Sequence, residues 1–229
     1  MSTPFAIIPQ DPQLLEGDQQ RCACVLLVDT SGSMQNLIPE TGTSAIEELN
    51  RGLVTFQEQL QADSLSRKRV DVAVVTFDSD VTVVQPFISA TDFHAPWLTA
   101  SGGTAMAGGI SKALDIIAVR KQEYRNAGIV PYRPWIFMIT DGKATGLDEV
   151  AAQLRAEEDR KGVVFFAVGV HGASMESLQQ LAGEKKTFEL KGLNFQGLFS
   201  WLSASLKKAS SGIPGQQMAL ERPDNTIII

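Results

Sequence analysis

Four stretches of the chain are short, nearly unbroken apolar runs rich in β-branched and aromatic side chains: Cys22–Val28, Val70–Phe77, Trp135–Thr140 and Val163–Val170. Runs of this length read as strands, and their lack of apolar–polar alternation suits a sheet covered on both faces, hence a mostly parallel one. Between them the period changes. Ile46, Leu49, Leu53, Phe56 and Leu60 recur at spacings of three and four, the stripe of an amphipathic helix, and Ser44 and Glu47 are placed for a capping box at its start. Met106, Ile110, Ala113, Leu114 and Ile117 predict a second helix, Leu147 to about Arg160 a third and Met175–Leu181 a fourth. Phe195, Leu198, Phe199, Leu202 and Leu206 predict a last one.

Two shorter segments complete the pattern. Val81–Phe87 follows its neighbour after only Asp78-Ser79-Asp80, a connection that permits a hairpin alone, so this strand is expected to be antiparallel and at an edge. Lys186–Leu190 reads as a further short strand. The resulting order predicts an α/β fold of the Rossmann-like, doubly wound kind: a mostly parallel six-stranded sheet with one antiparallel edge strand and helices on both faces. The expected organisation is an N-terminal extension over 1–20, one domain over 21–208 and a tail over 209–229. Past Lys208 the chain turns to Ser, Gly, Pro and Gln, and the closing Thr226-Ile227-Ile228-Ile229 reads as a frayed end rather than an added edge strand.

Composition narrows the function classes. Of 229 residues, 44% are apolar and 20% charged, ordinary for a globular protein, and 20 basic against 26 acidic residues give a formal charge of −6. That balance argues against nucleic-acid or anionic-membrane binding. The first twenty residues lack a basic n-region, so they do not read as a signal peptide, and the longest apolar run is too short to cross a bilayer. Cys22 and Cys24 lie two apart in a strand, on one face and without disulfide geometry. They read as reduced core residues, and a cytoplasmic location is the expectation.

The candidate chemistry lies where strands end. Val25–Val28 runs straight into Asp29-Thr30-Ser31-Gly32-Ser33, with Gly32 free to turn the backbone between the serines. Trp135–Thr140 leads into Asp141-Gly142, and Ser101-Gly102-Gly103-Thr104 opens the second helix. Carboxyl ends of strands in doubly wound sheets are where ligands bind. Singly, each segment is an ordinary turn or helix start; together they bring oxygens to one edge. Magnesium takes six oxygen ligands, several of them water. The reading is that Ser31, Ser33 and Thr104 give hydroxyls directly and Asp29 and Asp141 hold coordinated waters. Neutral ligands leave the cation's charge under-compensated, so its open position favours a carboxylate from a partner's Asp or Glu.

The segments VLLVDTSGSM (25–34), LNRGL (49–53), VAVVTFDS (72–79), SGGTAMAGGI (101–110), PWIFMITDGKAT (134–145), FFAVGV (165–170) and KGLNFQGLFSWLSASLK (191–207) resemble the von Willebrand factor A (VWA) family. Within it the match is nearest to small bacterial members of the TerY/YegL type, associated with tellurium-resistance gene clusters. The resemblance covers roughly residues 20 to 208. It implies a metal-ion-dependent adhesion site (MIDAS) holding magnesium, or manganese or calcium, and a role in binding proteins rather than in turnover. It also implies a stress-response or signalling assembly with a protein kinase or phosphatase; a subunit partnering a hexameric AAA+ ATPase is the alternative. Residues 35–42 depart from the pattern as an insertion on the rim of the site, where Glu40 is a candidate to occupy the metal in cis and a plain connecting loop is the other reading. No zinc module is expected, since both cysteines lie in a core strand.

An enzyme is the competing class. His94 and His171 are the only histidines, and neither has a recognisable catalytic spacing. There is no Gly-x-Ser-x-Gly elbow and no P-loop, and a dehalogenase-type phosphotransferase would resemble this motif only with an Asp where Ser31 stands. A metal-dependent hydrolase or phosphotransferase is therefore the lesser expectation.

Overall fold

The structure, a computed structural model, describes residues 20–37, 42–142, 146–213, 222–224 and 228. Six strands form one sheet: β1 (Cys22–Asp29), β2 (Val70–Phe77), β3 (Val81–Ser89), β4 (Trp135–Thr140), β5 (Val164–Gly169) and β6 (Thr187–Glu189). Their spatial order is β3-β2-β1-β4-β5-β6. All neighbours pair in parallel except β2 and β3, which are antiparallel. The short Asp78–Asp80 turn forces that reversal, and Pro86 sits in β3 because an edge strand tolerates a missing donor.

Side chains alternate across β1. Cys22, Cys24, Leu26 and Val28 face a layer made by α1 (Ala45–Ala62) and α6 (Phe195–Ser211). Val25 and Leu27 face α3 (Met106–Asn126), α4 (Asp148–Asp159) and α5 (Met175–Ala182); α2 (Ser66–Arg69) is a single turn before β2. Both cysteines are buried and free, in keeping with their reading as core residues. The Ser44–Glu47 capping box forms at the start of α1. The last helix runs through Ser211, past the change to small polar residues. No helix among the described residues is long and apolar enough to cross a membrane.

One expectation fails at the C-terminus. Ile228 is buried and makes an antiparallel bridge to Leu190, beside the short edge strand β6. Burying one isoleucine and satisfying an edge group outweighs fraying at that residue. Residues 1–19, the 38–41 part of the insertion with Glu40, and residues 143–145 lie outside the described residues.

What this topology does for function is set by its switch point. The chain crosses from β3 through α3 to β4, so β4 lies beside β1 and the loops after these two strands diverge around one crevice.

Candidate functional site

Asp29 is the last residue of β1 and is fully buried. Its Oδ1 accepts the Ser31 N–H at 2.8 Å, which folds the chain back over the strand end. Its Oδ2 accepts the hydroxyl of Thr140, the last residue of β4. The Thr140 Oγ1 in turn accepts the Gly142 N–H at 2.9 Å. Thr140 was not among the residues the sequence singled out. Its signal was available, a lone hydroxyl ending an apolar strand immediately before Asp141.

The remaining oxygens follow. Residues Gly32–Gln35 form a 3-10 turn with Ser31 as its N-cap. The Ser31 and Ser33 hydroxyls lie 3.1 Å apart, and the Ser33 hydroxyl donates to Asp141 Oδ1 at 2.8 Å. Thr104 closes the ring through Gly142: a Cβ there would come 3.0 Å from the Thr104 methyl and 3.1 Å from Asp29 Oδ2. Hydrogen bonds thus join Asp29 to Ser31 and, through Ser33, to Asp141, while Thr104 lies beside Gly142 with its methyl nearest. The expected role of Gly32 is different. The left-handed backbone of this region is at Gly102 (φ +72°), not at Gly32. Gly32 instead donates its N–H to the Gly102 carbonyl at 3.1 Å.

The loop bearing Thr104 is clamped from two sides. The Ser101 N–H donates to the Thr30 carbonyl at 2.7 Å, the Gly103 N–H to Ser79 Oγ at 2.8 Å and the Ala105 N–H to the Asp78 carbonyl at 2.6 Å. Three strand-end loops are thus fixed to one another by backbone groups before any ligand arrives. On the β5 side, a Cβ at Gly172 would come 3.9 Å from the Asp141 carbonyl oxygen, which puts the turn after His171 on the rim. No hydrogen bond among the described residues links His94 or His171 to the five.

The electrostatics are lopsided. Burial lifts the Asp29 carboxyl above its ordinary range; the hydrogen bonds from Ser31 and Thr140 oppose the rise, and the charge of Asp78 adds to it. Asp141 is lifted too, first by burial and then by Asp29, against the hydrogen bond from Ser33. Among the described residues no Lys or Arg pairs with either carboxylate. Two carboxylates and three hydroxyls, without sulfur or imidazole, are a donor set for a hard divalent cation. No group of three or more His, Cys, Asp or Glu able to hold a metal occurs among the described residues, so a cation here would depend on the hydroxyls.

Comparison with known proteins bears on the fold. By sequence the chain matches none of the curated proteins. Among solved structures it is similar to the vWF domain of the type V pili tip protein Mfa5 from Porphyromonas gingivalis, with 13% identity, 87% of this chain and 99% of that one covered, and a TM-score of 0.63. It is also similar to the conserved hypothetical protein BatB from Bacteroides thetaiotaomicron, at 19% identity, 83% and 100% coverage and a TM-score of 0.58. A third is proximal thread matrix protein 1 from the mussel byssus with a zinc-occupied MIDAS motif, at 18% identity and a TM-score of 0.53, where 82% of this chain spans only 48% of that one. At such identities the likeness is one of fold. The family model for the von Willebrand factor type A domain matches residues 24–200 of the 229, and the chain belongs to that family.

Proposed function

We propose that this domain is a metal-dependent protein-binding module in which Asp29, Ser31, Ser33, Thr104 and Asp141 hold a divalent cation, magnesium by preference, and through it take a carboxylate from a partner. The observation that carries this reading is the pair of buried or half-buried acidic groups, Asp29 and Asp141, gathered with the Ser31 and Ser33 hydroxyls and paired, among the described residues, with no basic side chain. An added positive charge is what such a cluster lacks. When bound, the cation supplies a Lewis-acidic position for an anionic oxygen. The chain's own part is to fix the hydroxyls on clamped loops and hold the negative charge behind them. The zinc-occupied motif of the mussel protein supports a divalent ion at the equivalent place in this fold.

The reading is one of binding rather than catalysis. Ser31 and Ser33 bond to each other and Ser33 donates to Asp141, with no imidazole placed as a base. From the TerY/YegL resemblance we infer a bacterial stress-response or kinase–phosphatase assembly in the cytoplasm, with an AAA+ ATPase as the alternative partner. Calorimetric titration with magnesium and manganese tests the site: wild type should bind one ion, and Asp141→Ala and Thr104→Ala should lose or weaken binding with unchanged circular dichroism. Equal affinity in both variants would sink the reading. A pull-down from native extract with and without EDTA then identifies the partner.

A further inference from the structure

Beside the five oxygens, one flank of the domain carries apolar side chains that the core does not use. Leu37, Val54 and Trp97 are 66%, 43% and 72% exposed. Each is held to α1. Leu37 bridges Ser44, the N-cap of that helix, and lies two residues past Gln35, whose side-chain amide donates to the Ala100 carbonyl. Trp97 belongs to a strap that climbs the helix toward the Thr104 loop. Its neighbours are pinned there, the Ala95 N–H to Gln57 Oε1 at 2.7 Å and the Leu98 N–H to Asn50 Oδ1 at 2.8 Å. Asn50 also donates to the Leu98 carbonyl at 2.9 Å. Val54 stands one turn after Asn50 on the helix, between the two anchor residues of the strap.

Scattered exposed apolar residues are normal and need no explanation. These three differ in that each lies on α1 or on a segment pinned to that helix, near the metal loop or the strap. The strap is also uncharged: no Asp, Glu, Lys or Arg occurs between Asp92 and Lys112. On the far side of the Thr104 loop the β2–β3 turn presents Asp78 and the exposed Asp80 instead. A ligand anchored by a carboxylate is repelled along that side and meets an uncharged strap along the other, where the acids of the flank are Glu47 and Glu48 in the first turn of α1, the latter paired with Arg51.

We propose that Leu37, Val54 and Trp97 form the second half of the partner-binding surface, and that its occupant is an extended peptide segment with an anchoring Asp or Glu and a bulky apolar residue a few positions away. This rests on the metal-bridged capture proposed above. Ten residues of helix separate the Ser44 cap from Val54, about 15 Å of rise, and an extended chain covers that in about four or five residues. Trp97 is the anchor, since a large rigid ring presented on a pinned backbone loses little entropy on being covered.

The probes are two fluorescein-labelled peptides, each with a single Glu in a Gly-Ser background and a Phe-Leu pair four residues from it, one N-terminal and one C-terminal to the Glu. Control peptides replace Glu by Gln or Phe-Leu by Ser-Ser. Anisotropy is read on the full chain in saturating magnesium. One Phe-Leu peptide should bind about tenfold more tightly than its Ser-Ser control, and Trp97→Ser should erase that advantage. Leu37→Ser should erase part of it, while EDTA and Glu→Gln abolish binding of both. If EDTA and Glu→Gln act as stated but Trp97→Ser and Ser-Ser change nothing, the apolar flank is refuted and the metal reading stands. If binding ignores EDTA and Glu→Gln, both are refuted. Absence of a difference between the Phe-Leu and Ser-Ser peptides in either orientation also overturns the flank.

Discussion

Two aspartates at opposite ends of the sheet are both fully buried, and they are treated in opposite ways. Asp71, the second residue of β2, has a cation at each oxygen: Arg21 at 3.0 Å from Oδ1 and Arg120 at 2.9 Å from Oδ2. Tyr124 adds its hydroxyl to Oδ2 at 2.5 Å. Burial pushes the Tyr124 hydroxyl well above its ordinary range, with Asp71 adding, so the phenol stays a donor. Arg120 also stacks near the Phe87 and Tyr124 rings, at 5.6 and 5.1 Å. Asp29, at the end of β1, has a backbone N–H, a threonine hydroxyl and, among the described residues, no cation. Burial of a charge is costly unless it is paired. The first end meets that cost within the fold, whereas the second leaves it open. A buried acid with its partners in place is architecture; the other is the one that the proposed cation would complete.

The largest expected effect comes from making the first end resemble the second. Arg120→Ala strips one cation from a buried carboxylate and should cost about 3–5 kcal/mol in urea unfolding. A loss below about 1 kcal/mol would mean that the pairing does not carry this end. Next, Asp29→Asn should leave stability without added cation within about 1 kcal/mol of wild type, because the Thr140 hydroxyl can rotate to accept from the amide. Magnesium at a hundred times its dissociation constant should then stabilise wild type by about 2.7 kcal/mol and the variant hardly at all. A variant that gains as much as wild type would erase the contrast between the two ends.

A kinetic version uses the cysteines. Burial pushes the Cys22 thiol up to about 12, with the charge of Asp71 adding, and burial raises Cys24 as well. Both should resist maleimide in the native protein and react faster in Arg120→Ala, followed by mass spectrometry. Equal rates would show that the Asp71 end does not govern access to β1. Smallest of all, Arg51→Ala breaks an ion pair with Glu48 in which the arginine is 52% exposed. It should move the unfolding midpoint by less than about 0.5 kcal/mol, since water already screens the pair. A larger loss would say that pairing itself, rather than burial, separates the two ends.

Much of this was legible along the chain. The six strands and five main helices follow from local period, and the β2–β3 reversal from a turn too short for anything else. Asp29, Ser31, Ser33, Thr104 and Asp141 could be picked out because each ends a strand or opens a helix, and strand ends in this topology converge. The Asp71 cluster was not. An Asp inside the apolar run Val70–Phe77 signals a buried charge needing partners, but nothing local names Arg21, Arg120 and Tyr124, which lie 50, 49 and 53 residues away. Thr140 was passed over for a similar reason, since its partner Asp29 is 111 residues distant. Ile228 was misread because its partner Leu190 belongs to a different part of the fold.

Hydrophobic period and turn length are short-range properties, so the sequence by itself determined the elements, their order and the residues offered at the strand ends. Which oxygens touch, which buried acid receives a cation and which does not, and which glycine makes room were decided only in the tertiary structure. Those outcomes depend on distances between residues far apart in the chain, which exist only once β1 and β4 lie side by side.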